Sequence, residues 1–244
     1  MSNFVDAMET SDLKHHYSQQ FNSELEGIRS RVLGMGGLVE SQLEMAISAL
    51  NRGEIDSAES VVANDEKVNA YDLDIDERCT TILALRQPTA SDLRLVLAVI
   101  KTTADLERIG DEAKRVARMV SRVVCDMHDD SLLGRIVHLG LRVQQTLHRA
   151  LDAFARMDLE AAIKVVDDDI DIDREYEDVV RQSTTRMMED PSSIPKVLDI
   201  IWAARGLERI GDRCCNISEY IIYFVKGKDV RHTSLEQIKK ELDS

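Results

Sequence analysis

Glutamate and aspartate, side chains able to hold a cation, stand four residues apart at Glu107 and Asp111 and again at Glu208 and Asp212. Each pair lies in the same hexapeptide, Leu-Glu-Arg-Ile-Gly-Asp, at residues 106–111 and 207–212. Neither stretch contains proline and apolar residues recur around both with a helical period, so both read as helix, where residues four apart project from one face on adjacent turns. On an exposed helix two like charges so placed cost only a few tenths of a kcal/mol. Partly buried, at ~6 Å and an effective dielectric of ~20, they cost roughly 3 kcal/mol. A buried pair of this kind calls for a cation. Gly110 and Gly211 lie between the paired acids and cost about 1 kcal/mol each relative to alanine inside a helix. Something is therefore expected to approach the backbone closely there.

A second helix in each half supplies partners. Asp65 and Asn69 stand four apart in one, Asp169 and Asp173 in the other, polar residues recurring in a mostly apolar stripe. In an antiparallel hairpin turning at Pro88, Asn69 and Glu107 lie equally far from the corner, and Asp173 and Glu208 lie at nearly equal distances from Pro191. The two acidic pairs of each half can thus face each other at one height. Oxygen donors without histidine or cysteine make a site for a hard cation, Mg, Mn, Fe or Ca, rather than zinc or copper. The plainer alternative is a solvated face of a very acidic protein. Di-iron carboxylate bundles use Glu-x-x-His motifs, and no glutamate stands three residues before any of the 6 histidines. No Walker A, G-x-G-x-x-G or G-x-S-x-G motif occurs, and no catalytic constellation is found.

The elements that must position these residues repeat as well. Ile28, Val32, Met35, Val39, Leu43, Ala46 and Leu50 form one bundle stripe, and Leu132, Ile136, Leu139, Val143, Leu147, Ala150 and Phe154 form its counterpart at a constant offset. The stripes end at Gly53-Glu54 and Met157-Asp158. Second helices are expected over 55–86 and 159–189, stopped by Gln87-Pro88 and Asp190-Pro191. Third helices restart at Ser91 or Asp92 and at Ser193, and end near Cys125 and near Lys226, with Gly227 closing the latter. Short connections make neighbours antiparallel. The expected fold is all-α, two tandem antiparallel three-helix bundles related by internal duplication. Residues 1–10 read as a flexible N-terminal extension before a helix capped at Ser11 or Asp12, 11–125 as the first bundle, 131–227 as the second, and 228–244 as a charged C-terminal tail, helical in part after Thr233. Asp126 to Ser131 connects the bundles. The first hairpin tip, with Arg86, Pro88, Asp92 and Arg94, reads either as a docking corner for an acidic partner surface or as a capped turn with solvated arginines.

The 244 residues carry 31 Lys and Arg against 45 Asp and Glu, a formal charge of −14. That balance argues against nucleic acid and against simple adsorption to anionic lipid. The four cysteines, Cys79, Cys125, Cys214 and Cys215, show no C-x-x-C spacing. With no signal-like or membrane-spanning stretch, the expected place is the cytosol with reduced thiols.

In these motifs the sequence resembles the PhoU family of bacterial regulators of phosphate uptake. The resemblance runs from Phe21-Asn22-Ser23-Glu24-Leu25 through Met35-Gly36-Gly37, the Arg86 to Arg94 tip and both hexapeptides to Lys226-Gly227-Lys228-Asp229-Val230-Arg231-His232. It implies two symmetric three-helix bundles whose acidic pairs bind multinuclear metal clusters of Mg, Mn or Fe. The pattern matches Glu107 with Asp111, Glu208 with Asp212, Asp169 with Asp173, and Asp65 with Asn69. The last departs from the pattern, a neutral amide standing where a carboxylate stands elsewhere, so the first site is expected to hold metal less tightly. The resemblance further implies a cytosolic, non-enzymatic adaptor, a homodimer or larger, that meets the membrane only through its partners. Those partners are the phosphate-specific ABC transporter, through its ATPase subunit, and the phosphate-sensing histidine kinase PhoR, the coupling keeping the phosphate-starvation regulon off when phosphate is plentiful. A metal-dependent phosphohydrolase using the same carboxylates is the rival expectation.

Overall fold

The computed structural model describes the backbone at residues 2–124, 131–231, 233 and 237, and side chains among these except at 2–18, 55–57 and 121–124. The described chain is helical almost throughout and contains no strand. Helices α1 (Ser2–Arg52), α2 (Ile55–Arg86) and α3 (Ala90–Val124) form one antiparallel bundle. Helices α4 (Ser131–Arg156), α5 (Leu159–Glu189) and α6 (Ile194–Lys226) form the second, with a 3₁₀ turn at Pro191–Ser193 leading into α6. The two apolar stripes read from the sequence are buried along their whole length. Helix α1 begins at Ser2 rather than at Ser11 or Asp12, so the extension expected over 1–10 is helix from residue 2 onward. No glycine or proline precedes Gly27, and without a breaker Ser11 and Asp12 are carried inside the helix. The connection at 126–130, Cys125, and most of the tail beyond 231 lie outside the described residues.

Punctuation works as its chemistry requires. Gly53 ends α1 in the left-handed region (φ 73°), its amide donating to the Ala49 carbonyl at 2.8 Å. Met157 holds the corresponding left-handed place after α4 (φ 49°). Asp158 then caps α5 by accepting from the Ala161 amide at 3.0 Å, whereas Glu54 makes no side-chain cap for α2. Gly227 closes α6 at φ 72°, donating to the Tyr223 carbonyl at 2.8 Å.

Between the bundles α3 packs along α6 and α1 along α4, and apolar side chains of all six helices join in one continuous core. The α1–α4 contact is reciprocal. A methyl group at Gly36 would lie 2.5 Å from the Leu151 side chain, and one at Gly140 would lie 3.0 Å from Ile47. Gly36 and Gly140 are equivalent in the repeat, as are Ile47 and Leu151, so each half seats a large side chain of the other on a glycine. Along α3 and α6 the buried Asp105 accepts from the Tyr220 hydroxyl at 2.9 Å and pairs with Arg213 at 3.4 Å. Cys79 and Cys214 are buried free thiols and Cys215 is half-buried; burial pushes the Cys79 thiol up to about 12.

Candidate functional site

Helices α5 and α6 bring Asp169, Asp173, Glu208 and Asp212 into one neighbourhood. Glu208 is buried, and its Oε1 accepts from the Arg205 guanidinium on the same helix. Its Oε2 is buried with no hydrogen-bond partner, and so is Oδ1 of Asp169. Such orphaned oxygens are costly unless something pairs with them. Burial lifts Asp169 to about 6, against a hydrogen bond from the Cys215 thiol that lowers it, with the charges of Asp173 and Asp212 adding to the rise. Burial and then Asp212 raise Glu208. Asp212, exposed as a whole residue, has its carboxyl raised by local desolvation and then by Asp173. The close approach expected at Gly211 is the Asp169 carboxylate, which would lie 2.6 Å from a methyl group there. At Gly110 the nearest atom is Gln42 Oε1 at 3.4 Å, an ordinary contact.

In the first bundle α2 and α3 place Asp65 and Asp111 about a single cation of the chain itself. Lys114 Nζ donates to Asp65 Oδ2 at 2.5 Å and to Asp111 Oδ1 at 2.7 Å. Glu107 is half-buried and raised, first by burial, then by Asp111, then by Asp72, a carboxylate that sequence reasoning passed over. Asn69 is exposed. Lys114 and Asp72 were both within reach of the sequence. They stand one further step of the heptad along the stripes, seven residues after Glu107 and seven after Asp65. The same step from Glu208 gives Cys215 and from Asp169 gives Tyr176, over whose ring the Arg205 guanidinium stacks at 5.7 Å.

Among the described residues no three His, Cys, Asp or Glu side chains stand where they would hold a metal ion as placed. Asp173 and Asp212 of the second-bundle set are exposed, whereas Glu208 is buried and Asp169 half-buried. By donor type and by its two orphaned oxygens, that set fits a hard cation. The first-bundle set does not, because an ammonium already stands between its helices. At the hairpin tip both arginines are engaged within the chain. Arg86 grips Glu24 with two hydrogen bonds at 2.6 and 2.9 Å, and Arg94 Nε donates to the Phe224 carbonyl at 3.2 Å. Pro88 and Asp92 are half-buried, the Asp92 amide donating to the Thr89 carbonyl at 3.1 Å. The tip is thus a turn whose two arginines are tied to neighbouring parts of the chain.

Two copies of the PhoU domain match the chain, at residues 32–120 and 136–221, one on each bundle. The chain belongs to the PhoU family. It is 52% identical over 235 residues to the phosphate-specific transport system accessory protein PhoU of Serratia marcescens, covering 96% of each chain. To the protein of the same name from Escherichia coli (strain K12) it is 48% identical, covering 96% of this chain and 97% of the other. The crystal structure of PhoU from Pseudomonas aeruginosa superposes with a TM-score of 0.82 at 47% identity, over 85% of this chain and 100% of that one. Two matched domains agree with the duplication of stripes and hexapeptides. No helix among the described residues is long and apolar enough to cross a membrane.

Proposed function

We propose that this chain is a non-enzymatic accessory protein of phosphate uptake, an adaptor in the cytoplasm that couples a phosphate-specific ABC transporter to a phosphate-sensing histidine kinase and keeps the starvation regulon off. The observation that carries the reading is the near full-length likeness to relatives named as accessory proteins of phosphate-specific transport. The carboxylates serve regulation rather than turnover in this reading. Asp169, Asp173, Glu208 and Asp212 would hold a divalent ion, Mg, Mn or Fe. Bound there, the ion would supply the positive charge that draws α5 and α6 together. The chain's own part is to orient two oxygens from each helix and to keep Glu208 Oε2 and Asp169 Oδ1 away from water. Self-association belongs to the same reading. Ile194, Leu198 and Trp202, four apart on α6, form an exposed apolar row (39%, 43% and 61% exposed) that a second copy would cover.

The test is retention of the purified chain on membranes containing the transporter and the kinase, with phosphate present and absent. Retention that changes with phosphate is expected, and none from membranes lacking both partners. Phosphate-ester hydrolysis with Mg or Mn that Glu208→Ala abolishes would overturn the adaptor reading in favour of a phosphohydrolase.

A further inference from the structure

The two carboxylate sets differ most at one repeat position, 114 in α3 and 215 in α6. Lys114 reaches one carboxylate on each helix, Asp65 on α2 and Asp111 on α3. Its side chain is 16% exposed and that of Asp65 15%, so the ammonium sits in the groove between the helices rather than on the rim. Cys215 fills the same place in the second bundle and brings no charge; its thiol donates to Asp169. The second bundle has cations too, but elsewhere: Arg205, Arg209 and Arg213 of α6 all act on Asp212 through their charge, and of these Arg205 also pairs with Glu208. Arg205 comes from the Glu208 helix itself, has a side chain 40% exposed, hydrogen-bonds Glu208 through Oε1 and lies over the Tyr176 ring. It leaves Glu208 Oε2 and Asp169 Oδ1 bare.

We propose that Lys114 is the first bundle's own cation, standing between Asp65 and Asp111 in the role a divalent ion would take, so that only the second bundle loads metal. This rests on the metal-holding reading of the second set given above. A metal ion entering the first bundle must displace an ammonium tethered within hydrogen-bonding distance of two of its carboxylates, a competitor that dilution does not remove. Having to break that pairing weakens metal affinity at the first set on the order of tenfold or more. The exposed Asn69 is then a minor part of the difference between the bundles.

The full chain, stripped with chelator, is titrated with Mn(II) by calorimetry and assayed for bound Mn after gel filtration, with melting of the metal-free protein measured alongside. Wild type should bind Mn at the second set alone, and Glu208→Gln should abolish that binding. Lys114→Met should gain a further set of Mn sites, removed again by Asp65→Asn, and should melt at lower temperature when metal-free because Asp65 and Asp111 lose their counter-ion. The reciprocal Cys215→Lys should lose the second-bundle Mn, so the test does not stand on one variant. Mn retained at the first bundle in Glu208→Gln, no added Mn in Lys114→Met, or an unchanged metal-free melting point in Lys114→Met would each overturn the proposal while leaving metal at the second bundle intact. No Mn on wild type or any variant would overturn both.

Discussion

Gly110 and Gly211 hold the same place in the two hexapeptides yet meet different neighbours. Alanine is favoured over glycine in a helix by about 1 kcal/mol. At Gly110, where the added methyl makes only ordinary contacts, Gly110→Ala should stabilise the protein by about 0.5–1 kcal/mol. At Gly211 the methyl would meet Asp169 Oδ1 at 2.6 Å and Ile172 at 3.3 Å, and the overpacking costs about 1–3 kcal/mol, so Gly211→Ala should destabilise. Urea unfolding of both variants in chelator should give opposite signs. Asp169 also sets a pH response. Burial first, then nearby carboxylates, raise it to about 6 in the folded state, above its unfolded value near ~3.9. The folded protein therefore takes up a proton more readily than the unfolded chain. That contribution to stability is fully present below about pH 4 and is lost as pH rises through about 6. In metal-free protein, Asp169→Asn should flatten the fall in melting temperature between about pH 4 and pH 7; parallel profiles in a calorimeter would refute the assignment. The acidic pairs and a close approach at Gly211 were legible in the sequence because residue type and spacing carry them. That Asp169 makes the approach was not, since the rotation of α5 about its axis is fixed by packing. Lys114 was missed for a related reason, a lysine three residues after an aspartate being an ordinary surface pair until a second helix brings Asp65 to it.

Helix ends divide along the same line. The bounds of α2 and α5 followed from the Gly53-Glu54 and Met157-Asp158 turns and from the Gln87-Pro88 and Asp190-Pro191 stops, because left-handed turns, caps and prolines act locally. The start of α1 did not follow, because a capping residue inside an unbroken helical run has no local reason to end it. The equivalent starts of α2 and α5 differ in one atom group: Asp158 caps and Glu54 does not. Asp158→Ala should cost about 1 kcal/mol, and Glu54→Asp should gain about 0.5–1 kcal/mol by making the missing cap. Thermal melts of the two single variants and their combination check both, and near additivity is expected because the sites lie in different bundles. The tip arginines teach the same lesson from the other side. The partner of Arg86 was not legible because Glu24 is far off in the chain; the fold brings that carboxylate to it, with side chains 19% and 32% exposed.

At the scale of the molecule, the duplication was legible and the way its halves meet was not. Amphipathic stripes fix what each helix buries, but the choice of α1 against α4 and α3 against α6 depends on shapes that appear only when faces are opposed. The glycines at 36 and 140 are the local trace of that choice, since each admits the equivalent large side chain of the other half. A contact in which one position meets a second, and the second meets the first, is the contact that two identical subunits make about a two-fold axis. The chain is in that sense a homodimer whose subunits share one backbone, the peptide link holding them together at an effective concentration of roughly millimolar order. Residues 131–244 made as a separate polypeptide should then pair with themselves, Leu151 of each copy seated on Gly140 of the other. Adding residues 1–125 as a second polypeptide should replace that self-pair by a one-to-one complex, and sedimentation at micromolar concentration would register the exchange.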